Sequence, residues 1–279
     1  MYSILIVGAG YAGGEIARHF QSKKQKVTAL VRNPSHVENF QKDGISSIVA
    51  DLTQPETLEK IPPAHFIVLC PAPDQHDAES YRKLYIEGIG NFLRSRKKQP
   101  RPFLVVYLSS TSVWREQQGG WVDESMAPDA NHEKGKILIE AETQVLSSGL
   151  PSVIFRLGGI YGPGRNRLQA IRDKAWPQPA PDAYMNLIHR DDIVGAMQVI
   201  FNKAEAGTVY LGVDDEPCLR SDFYRWISSR LGVSGFEKNI TGGVVGGKRC
   251  RNNRLKELGF QFAYPTVKKG YEALLEGGE

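Results

Sequence analysis

Long apolar runs are missing from this 279-residue sequence. No stretch approaches the roughly 20 residues of a membrane-crossing helix. The opening YSILIVGAG has neither the basic region nor the extended apolar segment of a signal peptide. The expectation is a cytoplasmic protein without a membrane partner. Cysteine is scarce: Cys70, Cys218 and Cys250 are an odd number and form no CxxC pair. That excludes a disulfide framework and suits reduced thiols in the cytosol. Charge of one sign is lacking too. The net charge is +4, and the single basic run, RSRKKQPR at 94–101, reads as a solvated helix end rather than a nucleic-acid surface. Clustered metal ligands are also absent. His76 in QHD has no third ligand near it in sequence, so no metal is expected.

What is present is an ordinary globular composition, 41% hydrophobic and 24% charged, long enough for one large core and an attached lobe. Apolar runs at 4–7, 27–31, 47–49, 66–69, 103–108 and 153–157 alternate with amphipathic segments at 13–23, 34–42, 81–97 and 134–148. This alternation predicts an α/β fold: a Rossmann-type doubly wound parallel sheet whose strands are buried on both faces. Past Leu157 the pattern gives way to GGIYGPGRNR and AWPQPAPDAY, with further helices near 191–202, 221–231 and 265–275. The division expected is a dinucleotide-binding domain at 1–157 plus about 186–211, and a small C-terminal substrate lobe at about 158–185 plus 212–279.

Ligands on such sheets bind at the carboxyl ends of the strands. The first strand ends in VGAGYAGG, where Gly8, Gly10 and Gly13 make GxGxxG between strand and helix. Gly8 suits a tight turn, Gly10 close approach of a pyrophosphate, and Gly13 helix–sheet packing. The helix N-terminus at Tyr11 and Ala12 then faces the phosphates. A glycine-rich turn without a ligand is the bland alternative. An NAD site expects an acid about 20 residues on, but strand two ends in ALVRNPS, with Arg32 in that place. A guanidinium fork suits a ribose 2′-phosphate, a contact worth roughly 1.5–3 kcal/mol. NADP(H) is therefore favoured over NAD(H), against an arginine merely exposed at a strand end. Asp51 and Leu52 after strand three belong beside the adenine. Cys70, Pro71 and Ala72 after strand four face the nicotinamide-side ribose.

The segment NHEKGKILIEAE at 131–142 opens an amphipathic helix, with Asn131 a suitable N-cap and His132 and Lys136 one turn apart. With YLSSTSVW at strand five, WVDESMAP before the helix, RLGGIYGPGR after strand six, NLIHRDDI at 186–193 and GKRCRNNRLKELGF near the C-terminus, the chain resembles an extended or atypical short-chain dehydrogenase/reductase, the NAD(P)-dependent epimerase/dehydratase group. The resemblance spans almost the whole length. It implies a serine holding the substrate oxygen, carried onto Ser110 with Ser112 as a second hydroxyl. It also implies a lysine on the cofactor ribose, carried onto Lys136, and a tyrosine as proton carrier. His132 stands where that tyrosine belongs, in His132-x-x-x-Lys136. An imidazole transfers protons near neutral pH but is shorter than a phenol. The alternatives are a polar residue at a helix start, or another acid/base from Asp74, His76, Asp77, Tyr81, Tyr85, Glu124 or Tyr161.

In the second lobe the resemblance places Gly159 and Ile160 beside the nicotinamide, Arg165 at an anionic substrate group, and Asn186 and His189 on the substrate side. For His189 a structural hydrogen bond weighs equally. For Asp191 and Asp192 the helix dipole is the simpler reason. Two functions follow as expectations. One is an NADP-dependent oxidoreductase or epimerase-like protein acting on a small sugar, polyol or carbonyl compound. The other is a catalytically inactive NADP(H)-binding sensor or regulatory protein. The partner expected is a small-molecule substrate, with no nucleic acid and no membrane, in a monomer or a homodimer.

Overall fold

Side chains apolar at every position require a strand with cover on both faces, and the first half of the chain supplies several. In a computed structural model, which describes residues 1–278, β1 (Ser3–Val7), β2 (Lys26–Val31), β3 (Ser46–Val49), β4 (Phe66–Leu69), β5 (Leu104–Ser110), β6 (Ser152–Leu157) and β7 (Val209–Gly212) form one parallel sheet. The order is β7-β6-β5-β4-β1-β2-β3. Ile4 of β1 stands opposite Val27 on one side and Phe66 on the other. Leu5, Val7, Leu69, Val105 and Ile154 are buried together with Ile89, Phe92 and Val145 from the covering helices. Each such side chain contributes about 1.5–3 kcal/mol by leaving water. The strand order reverses between β1 and β4, which opens a crevice at their carboxyl ends.

Three features differ from the linear reading. β3 is half-exposed on both faces, with Val49 45% accessible, because it is the sheet edge with a neighbour on one side only. β7 is a seventh strand, four residues long, that a weak local pattern did not announce. Arg96, inside the basic run read as solvated, is buried and donates to the carbonyls of Leu58, Ile61 and Pro62 at 3.1–3.3 Å. Its neighbours Arg94, Lys97 and Lys98 are exposed.

The described residues divide into two compact units. One comprises Met1–Arg115, Pro128–Arg156 and Ala196–Tyr210; the other comprises Glu116–Ala127, Leu157–Gly195 and the described residues from Leu211 onward. The sequence boundaries lie at 157/158, 185/186 and 211/212. Residues 116–127 join the second unit through a pairing remote in sequence, the strand Trp121–Val122 running parallel to Arg249–Cys250. Arg249 reinforces it: Nε donates to the Gly119 carbonyl at 2.6 Å, and the guanidinium lies 4.7 Å from the Trp121 ring centroid. The second unit has its own core around Tyr161, Leu168, Phe223, Ile227, Tyr271 and Leu274. Among the described residues no helix is long and apolar enough to cross a membrane.

Candidate functional site

β1 ends at Val7, and Gly8 follows with φ +94°. A Cβ there would stand 2.6 Å from the Cys70 carbonyl oxygen, so both conformation and space demand glycine. A Cβ on Gly13 would meet the Gly8 carbonyl oxygen at 2.3 Å and Cys70 Sγ at 2.7 Å, so only glycine lets the helix Tyr11–Ser22 come this close to β1 and β4. A Cβ on Gly10 would meet nothing within 4 Å. Its backbone faces open space, with half-buried Tyr11 and Ala12 beginning the helix beside it. The Cys70 thiol donates to the Gly8 carbonyl at 3.1 Å, and burial pushes its pKa up to about 12. Cys70 is a neutral filler of the loop, not a nucleophile.

Gly8, Gly10 and Cys70 line a cavity of about 190 Å³ at the carboxyl ends of β1 to β4, together with Arg32, Asp51, Leu52, Pro71 and Ala72, whereas Tyr11, Ala12 and Gly13 stand behind its lining. The glycine cradle, the helix start and the apolar walls are what a dinucleotide requires. The structure adds Asn33, His36 and Leu84 to the lining. Asn33 Oδ1 accepts from the Ser35 amide at 3.0 Å and caps the turn Pro34–His36, which swings His36 to the cavity. Asp51 Oδ1 accepts from the Thr53 amide and hydroxyl, both at 2.8 Å.

Arg32, expected at the ribose 2′-phosphate, and Asp74, expected at the substrate, form an ion pair with each other. Both are substantially exposed, 48% and 72%. They lie in a second, more polar compartment of about 530 Å³ that shares Arg32, Asp51 and Leu84 with the first.

β5 delivers Ser110 at its carboxyl end. Ser110 Oγ accepts from the Ser112 amide at 3.1 Å and the Ser112 hydroxyl at 3.0 Å, which leaves its own proton available to a third group. The helix Glu133–Leu146 starts one residue later than the sequence suggested. Its N-cap is His132, not Asn131. His132 is extended (φ −111°, ψ 150°), and Nδ1 accepts from the Gly135 amide at 3.0 Å. Nδ1 is as many bonds from the backbone as the oxygen of asparagine, so an imidazole can fill the role. A Cβ on Gly135 would lie 2.7 Å from the Ser112 carbonyl oxygen and 2.8 Å from His132 Cε1. Glycine there lets the helix start pack onto the loop after β5 and sets His132 beside Ser112. Lys136 is exposed one turn on, its amide donating to the His132 carbonyl at 3.1 Å.

Two of the remaining proton-carrying candidates, Tyr85 and Asp77, are occupied elsewhere. The Tyr85 hydroxyl donates to the Pro71 carbonyl at 3.3 Å, and burial, then Tyr81 and Cys70, push its pKa far up. Asp77 caps the helix Ala78–Arg82 by accepting from the Ser80 amide at 2.7 Å, which with the Ser80 hydroxyl lowers its pKa. The Lys134 ammonium lies 5.7 Å from the Tyr81 ring centroid and donates to the His76 carbonyl at 3.1 Å.

In the second unit, the strand Gly159–Tyr161 pairs in parallel with Leu187–His189, placing Gly159 and Ile160 opposite Leu187 and Ile188. Asn186 is a joint of this unit. Its side chain donates to the Lys248 carbonyl at 2.8 Å and accepts from the Cys250 amide at 2.7 Å, and its carbonyl accepts from the Gly159 amide at 2.8 Å. His189 is 2% exposed, its Nδ1 accepting from the Asp191 amide at 3.2 Å and its ring lying 3.9 Å from Tyr264. Burial lowers its pKa, with Asp191 opposing. Arg165, exposed, pairs backbone to backbone with Gly162. Tyr161 is buried against Tyr271 and His189, its pKa raised by burial. The Glu124 carboxylate accepts from the Leu211 amide at 3.1 Å, and burial raises its pKa.

Known proteins share this fold. The TrkA-N domain, a nucleotide-binding Rossmann domain, matches residues 4–81. Protein YeeZ of Escherichia coli K12 is 27% identical over 280 residues, covering 95% of this chain and 97% of that one. The dTDP-glucose 4,6-dehydratase of Bacillus anthracis, solved in complex with NAD, superimposes with a TM-score of 0.81 at 19% identity over 100% of this chain and 98% of its own, a likeness of fold. A Methylobacillus flagellatus protein assigned as an NAD-dependent epimerase/dehydratase is 33% identical, with a TM-score of 0.81 over 99% of this chain and 98% of that one. A chain that shares a third of its residues with that protein end to end, and carries the glycine cradle on the same fold, belongs to the NAD-dependent epimerase/dehydratase family.

Proposed function

We propose that this protein is an NADP(H)-dependent oxidoreductase of the epimerase/dehydratase kind that acts on a small sugar, polyol or carbonyl compound. One observation carries the reading: a glycine-cradled cavity has an arginine, and no acid, at the end of β2. A bound nicotinamide would supply the hydride donor or acceptor. The chain's own part is to bind, orient and hold an oxygen. The free proton of Ser110 is available to a substrate hydroxyl or carbonyl, and Lys136 to the cofactor ribose. The cap bond puts the His132 ring proton on Nε2. That N–H can donate to a substrate oxygen, while protonating Nδ1 would break the cap. His132 therefore serves as a hydrogen-bond donor at the helix start.

The same committed nitrogen favours a second reading, a non-catalytic NADP(H)-binding sensor in which Ser110, His132 and Lys136 only seat the cofactor. Calorimetric titration of ligand-free protein tests the foundation of both. NADPH is expected to bind at least about tenfold tighter than NADH, with the preference lost in Arg32→Ala. Equal binding in the wild type would remove Arg32 from the site. A panel of aldehydes, ketones and sugars then separates the readings. Turnover that disappears in Lys136→Ala supports the enzyme. Inertness in both wild type and His132→Tyr, which restores the phenol, supports the sensor.

A further inference from the structure

We propose that Asp74 sets the strength of cofactor discrimination by competing, as an internal counter-ion, with the ribose 2′-phosphate for Arg32. The inference rests on the NADP(H) reading and goes beyond it, because it names a residue that weakens the preference Arg32 confers. The guanidinium at the end of β2 is engaged by the Asp74 carboxylate, which comes from the loop after β4. Arg32 lines both compartments, and Asp74 holds one nitrogen, Nη2, of the fork that a 2′-phosphate would use.

The surroundings sharpen the competition. The polar compartment is lined by four acids, Asp51, Asp74, Asp77 and Glu79, against two bases, Arg32 and Lys83. A dianionic phosphate entering there meets net negative charge and depends on Arg32 for its welcome. It competes with the Asp74 carboxylate for the guanidinium and meets that carboxylate nearby. The loop is built to let go. Asp77 is anchored as the cap of the helix Ala78–Arg82, and Pro71 and Ala72 form the cavity wall, while Asp74, Gln75 and His76 between them are exposed. An exposed pair of this kind is weak enough for a phosphate to replace. A cofactor without the 2′-phosphate leaves the pair intact and does not feel the competition.

The test is titration calorimetry with NADPH and NADH, repeated with 2′,5′-ADP and 5′-ADP, which carry only the adenosine half. It uses the wild type, Asp74→Asn, Arg32→Ala and the double variant. Asp74→Asn removes a charge from an exposed side chain, and a thermal melt checks that the fold is kept. The expected result is NADPH and 2′,5′-ADP binding about three- to tenfold tighter in Asp74→Asn. NADH and 5′-ADP should change less than about twofold. In the Arg32→Ala background the Asp74→Asn gain should shrink to a small remainder from direct repulsion. If Arg32→Ala weakens NADPH while Asp74→Asn leaves it unchanged, or tightens both cofactors alike, the competition is overturned and the Arg32 assignment stands. If Arg32→Ala leaves the NADPH-to-NADH ratio unaltered, the NADP(H) reading itself fails.

Discussion

His132 illustrates how one side chain is fixed by local geometry before any chemistry is asked of it. Its position in the sequence pattern points to proton transfer, and its backbone conformation makes it a helix cap. The two roles can be separated. His132→Asn keeps an acceptor for the Gly135 amide and loses Nε2–H; His132→Ala loses both. Chemical denaturation is expected to show His132→Ala less stable by about 1 kcal/mol, with His132→Asn near wild type. Any activity found should fall in both. Activity retained in His132→Asn would leave the cap as the only role of this residue. Ser110 came from the family resemblance and lies at the end of β5 as that implied, whereas the pairing of Arg32 with Asp74, 42 residues apart, was not legible.

At the scale of elements, the helix Glu133–Leu146 is held to β6 by a buried ion pair. Arg156 Nε and Nη2 reach the Glu142 carboxylate at 3.0 and 2.7 Å, each side chain is 4% exposed, and the guanidinium lies 4.5 Å from the Trp114 ring centroid. Bidentate geometry and the aromatic face offset the loss of water. Glu142→Ala would strand a buried guanidinium, and a cost of roughly 3–5 kcal/mol is expected in urea unfolding. A cost below about 1 kcal/mol would mean that the cleft hydrates freely. This helix carries His132 and Lys136, so the pair also fixes their register. The helix itself was readable from its apolar spacing. The pair was not, because Glu142 and Arg156 look like ordinary surface charges until two elements meet.

At the scale of the molecule, buried carboxylates in the second unit link its stability to pH. Asp192 is 2% exposed and accepts from the Ala263 and Tyr264 amides at 2.7 and 3.1 Å, yet burial raises its pKa to about 6. Asp214, likewise buried, is raised well above its ordinary value, chiefly by burial. The folded state holds these protons more tightly than the unfolded chain. The Asp192 contribution is therefore complete below about pH 4 and is lost as pH rises through about 6, amounting to about 3 kcal/mol across the window. Asp192→Asn should flatten the fall in stability between pH 4 and 7 relative to wild type, whatever its effect at one pH. Parallel pH profiles for the two proteins would remove Asp192 from this role.

The sequence alone determined the doubly wound sheet, because uninterrupted apolar strands alternating with amphipathic helices bury both faces in few other ways. It also announced the glycine-rich turn after β1 through the GxGxxG spacing, while the reason no Cβ fits at Gly8 and Gly13, the approach of Cys70, is tertiary. Tertiary structure alone decided which charged groups meet: Asp74 at Arg32, Glu142 at Arg156, and residues 116–127 paired with a strand about 130 positions away. Local pattern depends on side chains a few residues apart, whereas an ion pair between distant loops depends on where the whole sheet carries them.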